Sequence, residues 1–172
     1  SDQLPLTQQG DLTFYSSIAL VQRQSILFTM EMLTLSKRFW ELFEWGKGNM
    51  KQTENIIVQA RIQTNYLELP QYFHLFLLCF RVLNPHESPL NAIELVESDW
   101  LHDLHYQQQS IINSKIQSEI HNNHHQSLTF ASFHKSLFVL ADHWTSSIEL
   151  HDYIAFLQSI YKKITVINNS GD

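Results

Sequence analysis

Ten histidines stand in the 172 residues of this chain, and two of them make the best-spaced cluster for chemistry. His102 and His105 lie three apart, with Asp99 and Asp103 close by in sequence. On a helix, a carboxylate and a histidine three positions apart project from one side, as in the metal sites of helical bundles. Those sites use two such pairs and two more inward carboxylates. Only Asp99-x-x-His102 has the spacing here, since Glu119-x-His121 and Glu149-x-His151 put their members on different sides of a helix. A metal- or small-molecule-binding helical protein using Asp99, His102 and His105 is therefore the alternative reading. The leading one places His102 on the helix surface and His105 as a packed ring, with no cofactor expected. The His121, His124 and His125 stretch offers imidazoles without the fourth ligand, often cysteine, of a structural zinc site, and reads as a polar connector.

Other catalytic signatures are missing. No Gly-x-Ser-x-Gly elbow, glycine-rich phosphate loop or His-Glu-x-x-His occurs. The single cysteine, Cys79, lies in the apolar run Tyr72–Phe80, where a thiol is buried and inert. One cysteine cannot form an internal disulfide, which fits a reducing, intracellular and cytoplasmic setting. The first eleven residues lack the basic-then-apolar pattern of a secretory leader.

Charge narrows the partner. The formal net charge is −6, which disfavours a phosphate backbone, since that needs clustered Lys and Arg. Between Arg81 and Lys115 there is no Lys or Arg, while Glu87, Glu94, Glu97, Asp99 and Asp103 fall in that gap. A protein partner with a basic surface is the expectation for this stretch. Glu97, Trp100, Asp103 and Tyr106 are the candidate acidic and aromatic contact residues. Trp45, Tyr72 and Trp144 are further aromatics at helix ends or beside polar residues, the kind that anchors protein interfaces.

The elements that must position these residues are helical. Apolar residues recur at spacings of three and four nearly everywhere, and no stretch alternates like a strand. The expected fold is all-α: one domain, residues 1–172, with six to eight helices in a bundle and flexible tails at 1–11 and 167–172. A long first helix runs from about Thr13 to Trp45. Its residues Phe14, Ile18, Val21, Ser25, Phe28, Met32, Leu35, Phe39 and Leu42 mark an a/d seam, with a second apolar row at Ala19, Ile26, Leu33 and Trp40. Two apolar rows indicate a helix inside a bundle, although self-association through Phe14–Leu42 is a further expectation. Unbroken, this helix would be about 50 Å long at ~1.5 Å per residue, longer than a domain of this size is wide. It therefore breaks near Ser25–Thr29 or projects. A second helix is expected over Asn49–Leu67. A third opens at Pro70 and leaves only Gln71, His74 and Arg81 as a polar line, and a fourth is capped by Ser88. The last two form a hairpin, one capped near Thr129 and the other by a Ser146-x-x-Glu149 box. The apolar run Phe73–Leu83 is too short for a membrane span, which takes about 20 residues.

Ala141-Asp142-His143-Trp144-Thr145-Ser146-Ser147-Ile148-Glu149-Leu150-His151-Asp152-Tyr153, with Phe156-Leu157 after it, resembles a degenerate EF-hand half. The loop lacks the glycine of the sharp turn and the acids at its third and fifth positions, so the resemblance implies the helix–loop–helix shape without calcium. The block Phe133-x-x-x-Leu137-Phe138-x-Leu140-Ala141-Asp142-x-Trp144-Thr145 resembles helical segments of large ciliary or cytoskeletal proteins. Together these readings lead to the expectation of a non-enzymatic interaction or scaffold module, a fragment of a larger intracellular or cytoskeletal or ciliary protein.

Overall fold

The computed structural model describes residues 16–45, 66–113 and 127–170. Of these, 84% are helical. The elements are α1 (Ser17–Leu27), α2 (Met30–Trp45), β1 (Tyr66–Glu68), α3 (Leu69–Leu83), α4 (Pro89–Asn113), β2 (Ser127–Thr129), α5 (Phe130–Trp144) and α6 (Leu150–Ser170). The all-α class is what the helical periodicity predicts. No described helix is long and apolar enough to cross a membrane. The histidine connector at 121–125, the tail at 1–11, Phe14 and most of the Asn49–Leu67 helix lie outside the described residues.

The chain forms two compact units. One comprises Ser1–Glu41 with His134–Asp172, and the other Leu42–Phe133. The boundaries fall within α2 and α5.

In the first unit the long N-terminal helix is two helices. Ser16 caps α1 by accepting the Ala19 N–H at 3.2 Å. The helix then closes at Phe28 and Thr29, whose N–H groups bond three residues back to Ser25 and Ile26. Thr29 makes the break. Its hydroxyl donates to the Ile26 carbonyl at 2.8 Å and accepts from the Met32 N–H at 3.3 Å, ending one helix and starting the next. Threonine competes with the backbone ladder in this way. The Leu27 carbonyl, left over by the break, accepts from His134 Nε2 at 2.7 Å. A carbonyl can only accept, so Nε2 carries the proton, and in the neutral ring Ser36 donates to Nδ1, 2.7 Å away.

The joint changes which apolar row faces inward. On α2 the expected seam is buried at Met32, Leu35 and Phe39. On α1 the second row is buried instead, at Ala19 and Ile26, and the seam residues Ile18, Val21 and Phe28 are exposed. Leu137 and Ala141 of α5 and Tyr153, Leu157, Ile160 and Ile164 of α6 complete this core. Phe138 stacks on Tyr153 at 5.7 Å, and Phe39 meets Tyr161 edge-on at 5.2 Å.

The second unit rests on α3 and α4. Pro70 lies in the first turn of α3, where a missing N–H costs nothing, and Gln71 reaches back to accept the Glu68 N–H at 2.9 Å. Ser88 accepts the Asn91 N–H at 3.2 Å at the start of α4. Tyr72, Leu75, Phe76 and Cys79 of α3 and Ala92, Val96 and Trp100 of α4 are buried. Tyr66 and Leu67, expected to end a helix, belong to a short antiparallel ladder, with Tyr66 opposite Thr129 and Leu67 opposite Leu128. The side-chain amide of Gln107 serves β2 as a strand would: it donates to the Ser127 carbonyl and accepts from the Thr129 N–H, both at 2.9 Å. A ladder of three-residue strands joined across distant sequence leaves no local period to read.

Candidate functional site

Helix α4 carries most of the residues singled out from sequence, and the structure separates them into an inner and an outer side. Trp100 is on the inner side, 4% exposed. Its ring meets Tyr72 edge-on at 4.9 Å, and Tyr72 stacks on Phe76 at 4.2 Å. One turn further along, the half-buried Asp103 accepts the Tyr72 hydroxyl at 2.7 Å. Burial pushes the Tyr72 hydroxyl well above the usual tyrosine range, and the charges of Asp103 and Asp99 push it further. It therefore stays protonated and donates to the carboxylate. Trp100 and Asp103, chosen as contact residues, thus hold α4 against α3.

Glu97 and Tyr106 are exposed. Glu97 belongs to an exposed row along α4. Leu90, Ile93, Glu97 and Leu101 follow at spacings of three, four and four, which is one helix face, and Glu94 flanks it. Leu90 is 65% and Leu101 60% exposed. Their signal was visible as apolar residues out of phase with Ala92, Val96 and Trp100. No Lys or Arg occurs anywhere in α4.

The histidine cluster is arranged differently from a metal centre. Asp99, His102 and His105 are all exposed, and His102 Nδ1 is 3.8 Å from Asp103 Oδ1. His105, expected as a packed ring, faces solvent. Among the described residues no group of three or more His, Cys, Asp or Glu side chains is placed to hold a metal ion. Cys79 is fully buried, and burial pushes its thiol from the ordinary 9.0 up to about 12, which keeps it protonated at neutral pH. Of the remaining aromatic candidates, Tyr72 is buried and Trp144 is exposed beside His143.

In the first unit, the segment resembling an EF-hand half uses its acid structurally. The Asp142 carboxylate takes two parallel bonds from Arg23, Nε to Oδ1 and Nη2 to Oδ2, each 2.9 Å, and Oδ1 also accepts the Tyr153 hydroxyl. Ser147 rather than Ser146 binds the Glu149 N–H, at 2.9 Å, so the expected capping box is replaced by a tighter turn. An open groove of about 440 Å³ lies beside α6, lined by Leu150, Ile154 and Ala155 together with Glu31 and Glu149.

No family model, curated protein or solved structure matches this chain.

Proposed function

We propose that the chain is a non-enzymatic protein–protein interaction module whose outer α4 face receives a basic, amphipathic segment of a partner protein. The observation that carries this reading is the combination on one helix face of exposed Leu90, Ile93 and Leu101 with Glu94 and Glu97, on a helix without a single Lys or Arg. The apolar side chains supply area to bury, and the carboxylates select a partner of opposite charge and speed its encounter. Trp100 and Asp103 act behind this face as positioning residues: through Tyr72 they hold the rotation of α4 that turns Glu97 and Leu101 outward. The neutral, buried Cys79 thiol suits a reducing intracellular setting.

A synthetic helical peptide with lysines on one face and leucines on the other tests the reading, with a scrambled peptide of equal composition as control. Binding is measured by fluorescence anisotropy at low and high salt. The ordered peptide should bind more tightly than the scrambled one and weaken with salt. A Glu94→Lys, Glu97→Lys, Leu101→Ser variant should lose at least about tenfold in affinity, or 1.4 kcal/mol. Equal binding by the variant and the parent protein would sink the proposal.

A further inference from the structure

We infer that the groove beside α6 is a docking site for a short segment of a partner protein that carries a lysine or arginine beside apolar side chains. All of its lining belongs to the first unit. Leu150, Ile154 and Gln158 follow at spacings of four, so they line one side of α6 over about two turns, ~12 Å at ~1.5 Å per residue. Leu150 and Ile154 are half-buried and keep apolar surface that a partner can cover. Ala155 also lines the groove, and its small side chain leaves room that a larger one would fill. From α2, Glu31 lines the same groove, and further along the two helices Phe39 meets Tyr161 edge-on.

Charge selects the occupant. Glu31 and Glu149 come from distant parts of the sequence and both line this groove. One acid near a helix start is ordinary, because it meets the positive end of the helix dipole. Two acids from different helices on a single apolar groove give that groove a sign. Among the described residues neither carboxylate takes part in an ion pair, and no Lys or Arg lines the groove. His151 lines it too, but its Nε2 is 3.2 Å from Asp152 Oδ1, which offsets any charge on the ring. A cation arriving here therefore meets two carboxylates without displacing an existing partner.

Shape selects a polypeptide over a small molecule. Small molecules are held where most of their surface is buried, whereas this groove of about 440 Å³ is open to solvent. A segment of chain can lie in it with both ends outside. Its apolar side chains cover Leu150 and Ile154, its cation reaches Glu31 and Glu149, and the exposed amide of Gln158 offers a donor and an acceptor to its backbone. A contact of this size is weak by itself. Helix α4 belongs to the other unit, so this site is separate from the face proposed there.

A random dodecapeptide library displayed on phage tests this, panned against the full chain and counter-selected against an Ala155→Trp variant that fills the groove. Ala155 is exposed, so circular dichroism of the variant should be unchanged. Peptides that bind the parent chain and not the variant should share a Lys or Arg next to Leu, Ile, Met or Phe. A synthetic copy of the most enriched peptide should lose at least about tenfold in affinity for a Glu31→Lys, Glu149→Lys variant, measured by fluorescence anisotropy. It should bind a Glu94→Lys, Glu97→Lys variant of α4 as it binds the parent. No enrichment, enrichment of peptides lacking a basic residue, or equal binding to the Glu31→Lys, Glu149→Lys variant overturns the inference. Binding lost only in the α4 variant also overturns it, while leaving the α4 reading intact.

Discussion

The inner face of α1 carries Arg23, bound to the carboxylate of Asp142 that also accepts the Tyr153 hydroxyl, while the inner face of α4 carries Asp103, which accepts the Tyr72 hydroxyl beside Trp100. Helix α1 is thus pinned by an arginine–aspartate pair and α4 by a tyrosine–aspartate bond, and each sets which side of its helix meets water. The charges around the two bonds differ. Arg23 balances Asp142 and tempers the upward push on the Tyr153 hydroxyl, which comes first from burial and then from Asp142. Beside Tyr72, the Asp103 and Asp99 carboxylates add to burial and push its hydroxyl further up. The outer faces follow suit: α1 shows a neutral apolar stripe and α4 an acidic apolar one. In each unit, therefore, one aspartate fixes the orientation of the surface helix, Asp142 through Arg23 for α1 and Asp103 through Tyr72 for α4.

The comparison can be broken most forcefully at Trp100. Trp100→Ala should lower stability by about 4 kcal/mol, the usual scale for deleting a large buried aromatic side chain. Urea unfolding measures this, and a loss under about 1 kcal/mol would return Trp100 to the surface role the sequence suggested. Asp142→Ala should cost somewhat less, about 3 kcal/mol, because it strands a largely buried guanidinium and the Tyr153 hydroxyl together. Asp142→Asn, which keeps an acceptor for Tyr153 but removes the charge, should recover part of that loss in the same assay.

The smallest effect near neutrality is a dependence on alkaline pH. Cys79, Tyr72 and Tyr153 all have folded-state values raised above their ordinary ones, chiefly by burial. Their neutral forms are favoured in the fold, so the unfolded chain releases these protons first as pH rises. Stability from these groups is fully present below the ordinary thiol value of 9.0, and is lost as pH climbs towards the folded value of about 12. Each group contributes a slope of up to about 1.4 kcal/mol per pH unit across its window. The urea midpoint should therefore hold steady at neutral pH and fall above 9.0. Cys79→Ala should flatten the early part of that fall, and an unchanged profile in the variant would show that the thiol is not the group responsible.

Much of the helical layout was legible in advance because helix periodicity and capping are local. Ser88, Thr129 and Pro70 sit at helix starts as expected. The break in the first helix was legible as a length problem, and Thr29 supplies its chemistry. The candidate site was read less completely. The acidic run joins Glu97 to Trp100 and Asp103, but those two pack towards α3 while Glu97 faces solvent. A charge run and a set of aromatics identify a helix without giving its rotation, since rotation depends on which neighbour the helix packs against.

By itself, then, the amino-acid sequence determined the all-helical class, the position of most helix starts, the inert setting of Cys79 and the acidic character of α4. Each rests on interactions within a few residues or on composition. Tertiary structure decided what depended on distant partners: the β1–β2 pairing, the His134 contact to the freed Leu27 carbonyl, and the Arg23–Asp142 and Tyr72–Asp103 bonds. Through those bonds it also decided which of two apolar rows on α1 is hidden and which faces of α1 and α4 meet solvent. Two rows of similar hydrophobicity are nearly equivalent to an isolated helix, and only a buried charge or hydroxyl with one available partner separates them.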